Sequence, residues 1–323
     1  MASCSCFLPS TLRQLPNRIA SVNRSQPSIP LAFQSIPLKP ISCPLQPRPQ
    51  LSSINPKLKF RTKASMAEVS TVKSEDKVQV FDSEEDLAVA LAKYVAHLSD
   101  QFAKQRGAFS VVLSGGSLVK SLRKLVEAPY IDSVDWSKWH VFWADERVVP
   151  KDHPDSNYFL AYNGFLSKIP IPAGNVYAIN DALSAEGAAD DYETCLKHLV
   201  KNKTIELSEA TGFPKFDLML LGMGPDGHIA SLFPGHPLVQ ENEKWVTFIK
   251  DSPKPPPERI TFTFPVINSS AHVALVVAGA GKADAVHTTL GSDQNSDVVL
   301  PVQMVSPEGK LKWFLDKGAA SKL

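Results

Sequence analysis

The chain has 323 residues with 34 Lys and Arg against 33 Asp and Glu, a near-neutral total that hides two unlike parts. Residues 1–67 hold nine of the basic residues and none of the acidic ones, so residues 68–323 carry a net charge of about −8. That balance argues against a nucleic-acid partner, which needs a clustered basic face, and no apolar run reaches the roughly 18 residues of a membrane-spanning helix.

The opening, MASCSCFLPSTLRQLPNRIASVNRSQPSIP, is rich in Ser, Pro and Arg, and ten of the first 67 residues are proline. Such a segment cannot build a packed core. It is similar in composition to a chloroplast transit peptide, here assigned to residues 1–65. Acidic residues begin just after Met66, so residues 66–323 are read as one domain and Met66 as a possible second start. Cys4, Cys6 and Cys43 belong to the leader, which leaves Cys195 alone in the body. A single thiol forms no internal disulfide, which points to a reducing compartment.

The body becomes regular after residue 74. KVQVF reads as a strand. Ser83 with Asp86 marks a helix start, and Leu87, Leu91, Val95, Leu98 and Phe102 follow at helical spacing. AFSVVLSGG is an apolar strand ending in glycines, with a helix through Leu122 and Val126 after it. WHVFWADE is a strand, FLAYNGFL a helix and NVYAI another strand. Residues 184–201 form a helix with Tyr192, Cys195, Leu196 and Leu199 on its core face. FDLMLLG and HVALVVAG are continuously apolar, as parallel strands covered on both faces are. PKPPPE at 253–258 is a loop, RITFTF a strand, and a helix runs through Ala283, Val286 and Leu290. This alternation predicts a doubly wound, mostly parallel α/β sheet, Rossmann-like, with helices on both faces and ligands at the C-terminal strand ends.

Four strands end in glycine or charge: VVLSGGS, VFWADER, MLLGMGPDGH and LVVAGAGK. In a parallel sheet these tips converge. Ser114, Gly115, Gly116 and Ser117 suit an anion-binding loop, since glycine lets backbone N–H groups approach closely; the plainer reading is a tight turn. Asp145, Glu146 and Arg147 read alone as a solvated charge run, but at a strand tip the planar fork of Arg147 suits a phosphate. Arg259 and Lys282 are two further cations at that edge. His228, two residues from Asp226 in a glycine turn, is placed to accept and return a proton near neutral pH. Metal ligation is not expected, since no C-x-x-C or H-E-x-x-H is present.

LSGGS, WADERVVP, SNY, LLGMGPDGHIASLFPG and VAGAGKA, in this order, resemble the 6-phosphogluconolactonase family over about residues 78–315. The resemblance implies hydrolysis of 6-phospho-D-glucono-1,5-lactone in the oxidative pentose phosphate pathway, with no cofactor and a small sugar phosphate as the only partner. It makes His228 the general base and gives Asp226 and Asp145 orienting roles. The phosphate then falls to the Ser114–Ser117 loop, Arg147, Arg259 and Lys282, with Gly224 in the substrate-binding turn. The chain departs from the family's usual S-T-P after the two glycines, reading Ser117-Leu118-Val119, which removes one hydroxyl donor.

Two alternatives stand beside it. Glucosamine-6-phosphate deaminases resemble this turn but carry a glutamate where this chain has Phe233, and phenylalanine relays no proton. A sugar-phosphate sensor needs the phosphate ligands but not His228. The final Ser321-Lys322-Leu323 matches a peroxisomal address, so plastid, peroxisome and cytosol are all expected locations. Oligomeric state has no signature in the sequence.

Overall fold

The computed structural model describes residues 77–291 and 299–323; the leader, its three cysteines and Met66 lie outside the described residues. Eleven strands run β1 Val78–Phe81, β2 Phe109–Leu113, β3 Trp139–Trp143, β4 Asp145–Arg147, β5 Glu206–Leu207, β6 Pro214–Lys215, β7 Leu218–Leu221, β8 Val246–Ile249, β9 Arg259–Phe262, β10 His272–Val277 and β11 Lys310–Asp316. Seven α-helices are α1 Glu84–Arg106, α2 Ser117–Ser121, α3 Tyr130–Ser133, α4 Asn157–Gly164, α5 Ala185–Lys201, α6 Phe264–Asn268 and α7 Ala283–Leu290.

Six strands form one sheet in the order β1-β11-β10-β7-β2-β3, every pair parallel. Alternation along its strands assigns side chains to two cores, because successive strand residues point to opposite faces. Val111, Leu113, Leu218, Leu220, Ala274 and Val276 pack with Leu87, Leu91, Val95 and Leu98 of α1 on one side. Val112, Met219, Leu221, Val273, Leu275 and Val277 pack with Ala188, Tyr192 and Leu196 of α5 and Val286 of α7 on the other. The doubly wound expectation therefore holds. Each such side chain removed from water contributes about 1.5–3 kcal/mol.

Local signals set the ends. Ser83 Oγ accepts the Asp86 N–H at 3.1 Å, capping α1, and donates to the Asp86 carboxylate at 2.6 Å. Gly107, at φ 77°, closes that helix in the left-handed region.

Four readings change. NVYAI forms no strand: a three-residue 3₁₀ turn, Ala173–Asn175, takes its first residue and a single bridge, Val141 to Val176, ties it to the edge strand β3. The helix after the glycine loop breaks after Ser121 into a 3₁₀ turn over Arg123–Val126. RITFTF leaves the parallel sheet and, as β9, joins an antiparallel three-stranded sheet β4-β9-β8. Cys195 is half-buried at the margin of the α5 core face rather than inside it, and burial raises its thiol pKa.

Candidate active site

The tips of β2, β3, β7 and β10 do converge. Around them lies a cleft of about 220 Å³ lined by Ser114–Ser117, Asp145, Arg147, Asn157, Gly224, His228, Lys254, Arg259 and Lys282, among others. Asp226 borders it through its bond to His228.

His228 sits on a turn that its own glycines shape. The Gly224 N–H donates to the His228 carbonyl at 2.8 Å, and the Gly227 N–H to the Gly224 carbonyl at 3.0 Å. Gly227 has φ 76°, and a Cβ on Gly224 would lie 1.9 Å from His228 Nδ1. A side chain at 224 is thus excluded by the imidazole itself. His228 Nδ1 stands 2.5 Å from Asp226 Oδ1. A carboxylate only accepts, so the proton resides on Nδ1 and the lone pair on Nε2. The ring packs at 4.7 Å on Phe233, whose face also meets Arg259 at 5.7 Å.

Burial is the largest influence on His228 and lowers its pKa, with Lys254 acting the same way and Asp226 and Asp145 opposing. Burial alone would raise Asp226, but hydrogen bonds from His228 and Lys254 bring it down to about 2. The histidine is thereby held neutral near neutral pH beside a permanently charged carboxylate.

Asp145 Oδ2 accepts from Ser231 Oγ at 2.7 Å, so this carboxylate braces the segment just after His228. Arg147 donates through Nη1 to the Asp155 carbonyl at 2.8 Å, while its Nε is buried without a partner. Ser114 Oγ is likewise buried and unpartnered on the same wall. Both residues line the cleft, and neither donor is used within the protein.

Arg259 is differently engaged from the expectation. Its Nε and Nη2 donate to the carbonyls of Pro256, Lys254 and Pro255 at 2.9, 2.7 and 3.1 Å, leaving Nη1 with one long contact of 3.4 Å to Ser231 Oγ. Its charge reaches the cleft, but most of its donors shape the 253–258 loop. Burial lowers the Lys282 pKa, and the neighbouring charge of Lys254 lowers it further. The glycine loop meets an α2 of five residues, too short to add much dipole.

Two site residues escaped the sequence reading. Lys254, read as part of a loop, puts Nζ 3.0 Å from both Asp226 Oδ1 and His228 Nδ1. The Arg259 bonds to the carbonyls of Lys254, Pro255 and Pro256 help fold that loop inward, and they are invisible in one dimension. Asn157, quoted within SNY but given no role, donates to the Asp145 carbonyl at 2.9 Å, and its Oδ1 occupies the space a Cβ on Gly115 would need.

Comparison with known proteins shows the family of the chain. Residues 82–313 match the family model for glucosamine-6-phosphate isomerases and 6-phosphogluconolactonase. A probable 6-phosphogluconolactonase 4, chloroplastic, of Oryza sativa subsp. indica is 74% identical over 247 residues, 76% of each chain. The 6-phosphogluconolactonase 3, chloroplastic, of Arabidopsis thaliana is 59% identical over 335 residues, the full length of both. The solved 6-phosphogluconolactonase from Trypanosoma cruzi superposes with a TM-score of 0.67 at 28% identity, over 76% of this chain and 96% of that one.

Proposed function

Because this chain belongs to the glucosamine-6-phosphate isomerase and 6-phosphogluconolactonase family, we propose that it hydrolyses 6-phospho-D-glucono-1,5-lactone to 6-phospho-D-gluconate, with His228 as general base. The single observation that carries this reading is the Asp226–His228 pair, its Nε2 lone pair left free, in the same cleft as the idle donors of Ser114 and Arg147.

The chemistry follows from that arrangement. His228 Nε2 takes a proton from water as its oxygen attacks the lactone carbonyl. Asp226 stabilises the imidazolium that forms. The C1–O5 bond then breaks, and the imidazolium returns the proton to the departing ring oxygen, leaving a carboxylic acid that ionises in water. A positioned base of this kind contributes roughly 10²- to 10⁴-fold. The Ser114–Ser117 loop and Arg147 hold the phosphate, with Arg259 and Lys282 adding positive charge. Holding that end fixes the carbonyl against the activated water.

Phe233 packed on His228 weighs against the deaminase alternative, since it fills the neighbourhood of the base with a ring that has no exchangeable proton. The test is a coupled assay of the full chain beside His228→Ala. Lactone hydrolysis that falls by two or more orders of magnitude in the variant is expected. Ammonia release from glucosamine 6-phosphate without lactone hydrolysis would reverse the assignment.

The same reading extends to location. Relatives carry chloroplastic names, and we take residues 1–65 as a plastid transit peptide ahead of the catalytic domain. We also propose the exposed Ser321-Lys322-Leu323 as a peroxisomal address for chains lacking that leader. Fluorescent fusions at each end, made separately, decide both; cytosolic signal from both would remove them.

A further inference from the structure

Glu146 is 2% exposed and does not line the cleft, although both of its chain neighbours do. Its carboxylate is enclosed by donors instead. Oε1 accepts the backbone N–H of Arg147 and of Asn157, each at 2.7 Å. Oε2 accepts the Tyr158 N–H at 2.7 Å and approaches Ser156 Oγ at 3.3 Å. Three of these four donors belong to the start of α4, so one side chain binds β4 to the first turn of that helix.

All four bonds come from uncharged groups. Burying a carboxylate on such terms is costly, and here burial pushes the acid up to about 7 against the pull of its N–H partners. Simple packing between β4 and α4 would be served by an apolar side chain of similar volume. The cost makes sense through what the bonds hold. The two N–H groups that share Oε1 belong to Arg147 and Asn157, one residue of each element that lines the cleft. The Asn157 amide also braces the glycine loop at Gly115.

We propose that Glu146 is a positioning residue for the reaction: without touching substrate, its carboxylate sets the Arg147 guanidinium and the Asn157 amide at the phosphate end of the cleft. This rests on reading the cleft as a lactonase site.

The test uses the full chain with Glu146→Gln, which keeps the shape but replaces one acceptor oxygen with an NH₂ group. The change is made in the wild type and in an Arg147→Ala, Asn157→Ala background that lacks both side chains being aimed. KM and kcat for the lactone are measured with the dissociation constant for inorganic phosphate, and thermal unfolding establishes that each variant is folded. Expected in the wild type is a rise of about tenfold or more in KM and in the phosphate dissociation constant, with kcat changed less than about threefold. In the double-variant background the same change should alter both constants by less than about twofold, because coupled residues are not additive. Equal fold-losses in the two backgrounds would reduce Glu146 to general support and overturn the proposal, as would unchanged constants in a folded Glu146→Gln. If that variant does not fold, Ser156→Ala loosens the same clamp; a KM rise of about two- to threefold supports the proposal and none overturns it. Wild-type protein without lactonase activity sinks the functional reading, whereas the phosphate constants still decide the role of Glu146.

Discussion

Asp226 accepts the Nδ1 proton of His228 at 2.5 Å. The bond fixes the tautomer and, in the proposed mechanism, stabilises the imidazolium formed during water activation. Asp226→Asn keeps the shape but removes the charge, so kcat should fall by roughly 10²-fold or more. The sign of the pH effect follows from the carboxylate's pull, which favours protonated His228. Without it the imidazole gives up its proton more readily, and the acid limb of the kcat/KM profile moves to lower pH. Glu146, at about 7, titrates in the same region, so the shift between the two proteins is the informative quantity. A limb that moves upward would show that Asp226 does not act on the base.

Lys254 gives the opposite sign. Its ammonium lies 3.0 Å from His228 Nδ1 and disfavours a second positive charge there. Lys254→Met should therefore raise the His228 pKa and move the same limb to higher pH. The Asp226 carboxyl, which Lys254 helps hold near 2, rises in parallel. Because this ion pair is partly exposed, the unfolding temperature should change little. A pH profile that superposes on the wild type would detach Lys254 from the base.

The sequence made the site legible where chemistry and strand end coincide. Gly224, Asp226, His228, Arg147 and the Ser114–Ser117 loop each follow an apolar run whose burial forces its tip to one edge, so periodicity alone placed them together. Lys254 and Asn157 failed that filter because the 253–258 loop and the start of α4 are placed by Arg259 and Glu146, through contacts that no periodicity records. The parallel sheet was legible for the same reason as the site. The antiparallel sheet was not: β4 follows β3 after one residue and reads as its continuation in WHVFWADE, and β8 lies within a stretch given no reading. β11 carried a signal in its alternating Leu311, Trp313 and Leu315, which pairs it between β1 and β10.

Gly224 is required by contact. An added Cβ would fall 1.9 Å from His228 Nδ1 and 2.5 Å from Asp226 Oδ1. Gly224→Ala must displace the pair from its present bond. The expected result is a loss of kcat comparable to that of His228→Ala, with KM within a few-fold of wild type, because the phosphate wall is untouched. Retained kcat would mean that the geometry of this pair does not govern turnover.

Arg147 tests that wall directly. Arg147 lines the cleft and its Nε has no partner within the protein, so under the proposed function its guanidinium supplies a charge-assisted hydrogen bond to the phosphate. Such bonds are worth about 1.5–3 kcal/mol, so Arg147→Ala should raise KM by roughly 10- to 100-fold, with kcat little changed. Steady-state kinetics with the lactone decides it. An unchanged KM would remove Arg147 from the phosphate end.

At the opposite, N-terminal edge of the strands a second buried carboxylate has a purely structural task. Asp217 receives Arg106 through Nε at 3.0 Å and through Nη2, and also accepts the Ser110 N–H at 2.6 Å and Ser110 Oγ at 2.9 Å. This cluster joins the end of α1 to the starts of β2 and β7. Removing one partner leaves a guanidinium with its side chain only 12% exposed. Breaking a buried pair from one side costs about 3–5 kcal/mol. At about 2–4 °C per kcal/mol for a domain of this size, Asp217→Ala should lower the unfolding temperature by roughly 6–20 °C. Replacing both partners with apolar residues, Arg106→Met with Asp217→Leu, should recover much of that loss, because no charge is then stranded. Both variants, assayed well below their melting temperatures, should keep wild-type kcat and KM, since the cluster lies across the sheet from the cleft. A fall in kcat with full stability would place Asp217 in the machinery instead, and would mean that the two edges of the sheet are coupled.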